Sequence, residues 1–391
     1  MITGNSIPIS SSVRSIYARV ELYDGSTLLY TFNHDDFLKS IKVDRLGNTD
    51  RFFGYGICQK VNVHVIDLRR EVNIQAGNRL EVVMGSDETH LYTFPVFYVS
   101  EVHRDEKTNE LSITAYDCIY EASKHTISEI TLPTTFTLEG YVAACAAIID
   151  IPYKLEVADD AFLASYTAQT VNLEGTETLR EILNDIAEAT QTIYYISKDW
   201  ELVFKRLDIN GLPKLDIGKS QYFSLTSKTN RRLTGVAHTT ELGDNYIAQL
   251  EISGTTQYVR NNPFWELIPD VEARVNKALT YVGGLTINQF NCEWRGNYLL
   301  EIGDKISLVT KDDERVYSYV LCDTIEYKGY LRQKTYWSYS NSDAESMENP
   351  TAGVNMSDIL KKTYAKVDKV NKQIDLVVSE TNGYSDRLSA I

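Results

Sequence analysis

Residues 77–83 read GNRLEVV and residues 303–309 read GDKISLV, so one short pattern occurs twice in the 391-residue chain. Each copy is followed by a turn, a long apolar run (97–102 and 320–325), a second turn and a closing run. Alternating apolar and polar residues in such runs are typical of half-buried strands. The pattern predicts two similar small β-barrels or sandwiches. A chance match is the alternative, because a glycine before polar and β-favouring residues is a common way to begin a strand.

Outward from the repeat, the chain contains a hairpin signal and three helix signals. Asp24-Gly25 between alternating runs predicts a β-hairpin. Residues 138–149 predict one helix, and apolar residues at helical spacing from Leu179 predict another, with Thr176 as its N-cap. Pro269 at a first-turn position predicts a third, short helix. We therefore predict a mainly β fold, α+β overall, with an α+β module inserted between the two β units.

This organisation divides the chain into six segments. They are a first β-barrel domain (1–118), an inserted α+β module (119–207), a connecting β segment (208–260), a second β-barrel domain with a short helix (261–340), a linker (341–356) and a coiled-coil helix (357–391).

The last segment carries a heptad pattern. The apolar residues that define the seam at positions a and d are Leu360, Val367, Val370, Ile374 and Val377. More than four heptads predict a coiled coil, and β-branched residues at both a and d favour three strands over two. A single amphipathic helix docked on the body of the chain is the alternative.

Composition excludes several classes of protein. The 39 Lys and Arg residues stand against 54 Asp and Glu, a net charge of −15, so the chain lacks the basic surface of a nucleic-acid reader. Such a charge is compatible with a channel through which DNA slides. Five cysteines without CxxC spacing indicate reduced thiols, and we expect neither a signal peptide nor a membrane span. We therefore expect synthesis in a cytoplasm.

No catalytic, cofactor or metal motif is found in the sequence. The six histidines lack metal-ligand spacing, and no nucleophile elbow or phosphate-binding loop is present. The carboxylate pairs Asp35-Asp36, Asp159-Asp160 and Asp312-Asp313 each fall in a predicted turn, where Asp is favoured for backbone hydrogen bonds. We predict no enzyme activity. The alternatives are a cell-wall-degrading enzyme with paired carboxylates and a saccharide-binding module that uses some of the 26 tyrosines.

One passage resembles a known family. Its residues are Pro263-Phe-Trp265, Trp294-Arg-Gly296-Asn and Glu301-Ile-Gly303-Asp304 before a strand, with Gly77 as the counterpart of Gly303. It is similar to the phage baseplate or tail-tip hub family, which includes hubs of contractile-tailed phages and the N-terminal structural region of siphophage tail-associated lysins. The resemblance covers about residues 15 to 340.

The resemblance implies a structural virion protein at the tail tip. It implies a homotrimer in which two barrels per chain form a pseudo-sixfold ring, adapt the sixfold tail to a threefold tip, and form or close a channel for DNA ejection. The implied partners are a distal tail protein ring, the tape measure protein, a downstream fibre or receptor-binding protein, and the host envelope to which the tail attaches. No lytic motif follows the heptads, so lytic activity is expected in another chain or in further residues.

Overall fold

The structure is a computed structural model that describes residues 16–34, 37–47, 51–67, 72–129, 137–157, 177–239, 244–251, 254–260, 262–265, 268 and 270–336. The predicted linker and coiled-coil seam (Leu360, Val367, Val370, Ile374 and Val377) lie outside the described residues, as do Asp35-Asp36 and Asp159-Asp160. Within the described ranges, no helix has the length and apolar character needed to cross a membrane.

Eight strands form the first part of the chain. They are β1 (Tyr17–Asp24), β2 (Thr27–Asn33), β3 (Leu38–Leu46), β4 (Tyr55–Ile66), β5 (Arg79–Gly85), β6 (Leu91–Thr93), β7 (Phe97–Asp105) and β8 (Glu110–Tyr116). Their antiparallel order is β2-β1-β5-β7-β8-β4-β3, with β6 also on β5. The predicted hairpin is confirmed, because Asp24 lies opposite Thr27 and Gly25 has a φ of 57°.

The middle of the chain mixes helices with short strands. Its elements are α1 (Cys118–Ala122), a 3₁₀ turn (Ile127–Glu129), α2 (Leu138–Ile148), β9 (Tyr153–Leu155), α3 (Leu179–Thr190), β10 (Ile193–Ile196) and β11 (Leu202–Lys205). The N-cap of α3 is Thr178 and not Thr176, because Thr178 and Glu181 form a reciprocal capping box. The β10–β11 hairpin extends from the start of β4, with which β10 pairs in parallel.

The second part returns to strands. Its elements are β12 (Leu215–Ile217), β13 (Tyr222–Thr239), β14 (Asn245–Gln249), β15 (Thr255–Arg260), α4 (Val271–Val282), β16 (Thr286–Trp294), β17 (Lys305–Val309), β18 (Arg315–Tyr319), β19 (Cys322–Tyr327) and β20 (Leu331–Thr335). The predicted start of this helix needs correction, because its N-cap is Asp270 and its first helical residue is Val271. The antiparallel order β13-β16-β20-β19 repeats the order β3-β4-β8-β7.

The two parts share one sheet. Strand β3 pairs antiparallel with β19, from Ile41 opposite Tyr327 to Leu46 opposite Cys322. One core cluster accordingly contains Val43, Val63 and Ile113 together with residues of the second part such as Ile325.

The prediction of small barrels needs correction, although the mainly β, antiparallel character is confirmed. In the described part of the chain neither sheet closes on itself. Closing the first sheet would require β3 to pair with β2, the strand at the other end of the order. The second edge of β3 is instead occupied by β19 of the other part.

Candidate functional site

The loop before β5 is held by four backbone and side-chain hydrogen bonds. Gly77 has a φ of 88°, which a residue with a Cβ rarely adopts. The Asn78 side-chain oxygen accepts from the Gln75 N–H (2.8 Å), and the Asn78 N–H donates to the Gln75 carbonyl (3.2 Å). The Gly77 N–H donates to the Val99 carbonyl and the Val99 N–H donates to the Asn78 carbonyl, both at 2.8 Å. These bonds attach the start of β5 to β7.

The loop before β17 repeats the same bonds. Gly303 has a φ of 76°. The Asp304 carboxylate accepts from the Glu301 N–H (3.0 Å), and the Asp304 N–H donates to the Glu301 carbonyl (3.2 Å). The Gly303 N–H donates to the Val320 carbonyl (2.8 Å) and the Val320 N–H donates to the Asp304 carbonyl (2.9 Å). The similarity between the two sequence stretches is therefore also a similarity in hydrogen bonding.

The same bonds explain a correction to the predicted strands. The long apolar run at 320–325 does not form a strand from its first residue, because β18 ends at Tyr319 and β19 begins only at Cys322. Both backbone groups of Val320 bond to the Gly303 loop, so this residue leaves the β17–β18 pairing.

The second loop differs from the first in charge. Asp304 is 2% exposed and forms ion pairs with Lys205 (3.3 Å) and Lys214 (2.7 Å), whereas Asn78 is neutral. A Cβ on Gly303 would lie 3.3 Å from side-chain carbons of Ile193 and Lys205. Gly303-Asp304 therefore joins the second β unit to the β10–β11 hairpin.

The Trp294–Asn297 motif fixes the chain after β16. Trp294 is fully buried, and its indole N–H donates to the Thr335 hydroxyl (3.1 Å). Gly296 has a φ of 78°, and a Cβ there would lie 2.9 Å from Cβ of Gln333. The Asn297 N–H donates to the Gln333 side-chain oxygen (2.8 Å). Each of these motif residues contacts its own chain and anchors the β16–β17 connection to β20.

A buried ion pair locks the contact between β3 and β19. Arg45 Nε donates to Asp323 Oδ1 (2.6 Å), Arg45 Nη2 to Oδ2 (2.5 Å) and Nη1 to the Leu300 carbonyl (2.6 Å). The two side chains are 3% and 0% exposed. Burial opposes the charge of the guanidinium, but the Asp323 carboxylate more than compensates and raises the pKa of Arg45. Gln333 donates a further hydrogen bond to Asp323.

This ion pair was not predicted from the sequence, although the strand pattern contains a signal for it. Ile41, Val43 and Arg45 alternate along β3 and all face the interior, and Asp323 shares its face with Ile325. A charged residue in phase with inward apolar residues has to find a buried partner. The alternation identifies Arg45 and Asp323 as charged residues that each need a buried partner. It does not show which strand supplies that partner.

Asp313 and Asp117 are two carboxylates that stabilise local backbone structure. Asp313 has a φ of 63° in the turn between β17 and β18, and it pairs with Lys219 (2.8 Å). Asp117 caps α1 and accepts from the N–H groups of Ile119 (3.1 Å) and Gln59 (2.8 Å). Burial raises the pKa of Asp117 to about 7. Among the described residues no three His, Cys, Asp or Glu side chains are grouped to hold a metal ion.

A crevice lies beside the β3–β19 contact. Arg45, Gln59, Tyr195 and Glu301 are among the residues that line it, and its empty volume is about 200 Å³. Burial raises the pKa of the Glu301 carboxyl at this crevice.

Comparison with known proteins identifies the fold. No family model matches the chain, and no curated protein does. Three solved structures are similar. The tail protein from Neisseria meningitidis MC58 has a TM-score of 0.56 at 12% identity, covering 81% of this chain and 95% of that one. The 43 kDa tail protein of prophage MuSo2 from Shewanella oneidensis has a TM-score of 0.54 at 11% identity, covering 81% and 97%.

The third is prophage tail protein gp18 from Listeria monocytogenes EGD-e, with a TM-score of 0.51 at 12% identity, covering 84% of this chain and 97% of that one. The chain therefore has the fold of these tail proteins along most of its length. The resemblance that the sequence suggested is confirmed at the level of the fold.

Proposed function

We propose that the chain is a structural protein of a phage tail, and that it forms the homotrimeric hub at the tail tip. The single observation that carries the proposal is the fold shared with three tail proteins over at least 81% of the chain. The roles of the motif residues support the proposal, because the contacts described for Trp294, Gly296, Gly303 and Asp304 are all made within the chain. A structural virion role is therefore proposed in place of a catalytic one.

The internal repeat explains how such a hub would match its neighbours. Three chains with two similar β units each present six similar surfaces to a sixfold distal tail ring, while the assembly itself stays threefold. The tape measure protein above and a fibre or receptor-binding protein below would then be attached through one adaptor. The host envelope would be contacted through that lower partner.

The net charge supports a channel through the ring. A chain with 15 excess negative charges repels the phosphates of DNA, so DNA can slide through during ejection without binding. The heptads from Leu360 onward would continue the threefold axis as a coiled coil. Removing residues 357–391 is expected to weaken trimerisation while leaving the β units folded. A deletion variant that trimerises with unchanged affinity would show that the helix has another role.

The experiment is a measurement of mass by light scattering at two protein concentrations, combined with zymography on peptidoglycan. We expect a mass three times 44.4 kDa and no clearing of the gel. A monomer at both concentrations would contradict the trimeric hub. Clearing that disappears on substitution of one carboxylate would instead establish a cell-wall-degrading enzyme.

A further inference from the structure

Trp200 has an unusual backbone conformation in the turn of the β10–β11 hairpin. Its N–H donates to the Ser197 carbonyl (3.1 Å), and the Ser197 N–H donates to the Glu201 carbonyl (2.9 Å), which leaves a three-residue loop at 198–200. The last residue of such a loop takes a left-handed conformation that favours glycine. In this chain that residue is Trp200, with a φ of 61°. A bulky residue with positive φ is an outlier, and strain of this kind is concentrated at sites that bind ligands.

The ring of Trp200 contacts Tyr98 of β7. The two ring centroids are 6.3 Å apart, and the ring planes are inclined at 55°. Because the planes are far from parallel, neither ring lies flat on the face of the other. Both side chains are half-buried, and no described residue hydrogen-bonds the Tyr98 hydroxyl or the Trp200 indole N–H. The pair therefore offers ring faces and two hydrogen-bonding groups that the fold does not use.

A neighbouring aromatic pair is engaged within the fold. Tyr116, which lies opposite Tyr98 on β8, stacks on Tyr120 with centroids 4.3 Å apart and planes at 18°. Lys60 lies over the Tyr116 ring (5.6 Å), and Lys124 lies over the Tyr120 ring (4.8 Å). These rings are therefore in contact with each other and with two ammonium groups. Within the described ranges, no cation lies over the ring of the Tyr98–Trp200 pair.

The unpaired charge beside Tyr98 is negative. Burial raises the pKa of the Tyr98 hydroxyl, and the Asp150 and Glu121 carboxylates raise it further while Arg79 opposes them. Glu121 and Arg79 are each paired with a side chain of opposite charge. Asp150 is exposed and forms no ion pair with any residue that the structure describes. An aromatic pair and a free carboxylate therefore lie together where the β10–β11 hairpin meets the first β unit.

These groups match the chemistry of a neutral saccharide. The C–H face of a sugar ring packs on the electron-rich face of an aromatic ring. Its hydroxyls both donate and accept hydrogen bonds, and here a carboxylate accepts, an indole N–H donates and a phenol does either. Nucleobases also stack on aromatic rings, but sites for single strands combine stacking with a positively charged groove. The free carboxylate of Asp150 disfavours such a strand.

We propose that Trp200 and Tyr98 form a binding site for a neutral saccharide, with Asp150 at its rim. All three residues belong to one chain, so the site does not depend on the trimer proposed above. Glycine at position 200 would complete the turn without strain, but it would leave no ring for the ligand.

The test is a glycan array probed with the full-length chain, followed by calorimetric titration with the neutral glycan of strongest signal. We expect neutral glycans to bind more tightly than glycans of the same core that carry a carboxylate or a sulfate. W200G is expected to weaken binding about tenfold or more, and W200Y, which keeps a ring and a polar group, is expected to bind more tightly than W200G. The matched control is Y330A, which removes a 53% exposed ring from the β19–β20 turn and should leave the affinity unchanged.

An array without a signal from any neutral glycan overturns the proposal, and so does a W200G variant with wild-type affinity. Urea unfolding of the same variants separates a ligand site from a packing contact. Because glycine relieves the strain at position 200, the urea midpoint of W200G is expected to equal or exceed that of the wild type. A lower midpoint would show that the ring is retained for packing and would overturn the argument from strain.

Discussion

Removing the carboxylate of Asp323 is expected to destabilise the chain more than any surface change. In D323A, Arg45 keeps its charge at 3% exposure but loses both bonds to its partner, and Gln333 loses an acceptor. Leaving a buried charge unpaired in this way costs about 3–5 kcal/mol. The change lies where β3 meets β19, so the two β units should also separate more readily.

The assay is urea unfolding at one fixed protein concentration, because association contributes to the apparent stability. The matched control is E251A, which removes an exposed ion pair with Arg232 and is expected to cost less than about 1 kcal/mol. The double variant R45M/D323L removes both charges and is expected to regain part of the loss, because no buried charge is left unpaired, although the Leu300 carbonyl and the Gln333 side chain lose their partners. A D323A variant within about 1 kcal/mol of the wild type would refute the reasoning.

Two further predictions follow from single sites. G296A is expected to lower the urea midpoint more than G25A, because both glycines have positive φ but only Gly296 would place a Cβ 2.9 Å from another side chain; equal losses would contradict the close approach. Asp117 has a folded-state pKa of about 7, above its unfolded value, so its contribution to stability is present below about pH 4 and is lost as the pH rises through 7. The unfolding free energy of the wild type relative to D117N is therefore expected to fall by about 2 kcal/mol between pH 5 and 7.5, and a constant difference would exclude the raised pKa.

Local patterns predicted most of the elements, since they depend on neighbouring residues. The hairpin at Gly25 and helix α3 follow from turn chemistry and from apolar spacing. The loops at Gly77 and Gly303 have similar conformations because each contains a glycine with positive φ followed by a polar residue.

The pairing of β3 with β19 was not predicted, for a physical reason. Alternation along a strand says which face is buried, but not which strand lies beside it. The same limit explains the missed Arg45–Asp323 pair, whose members are 278 residues apart. It also explains why the predicted β-barrels or sandwiches do not occur as closed barrels in the described part of the chain, since β3 completes its edge with β19 and not with β2.

Electron cryo-microscopy of the purified full-length chain tests the central claim most directly. We expect class averages of a ring with a central opening, six similar β densities around it and threefold symmetry overall. Isolated particles with two β densities, or rings with any symmetry other than threefold, would contradict it.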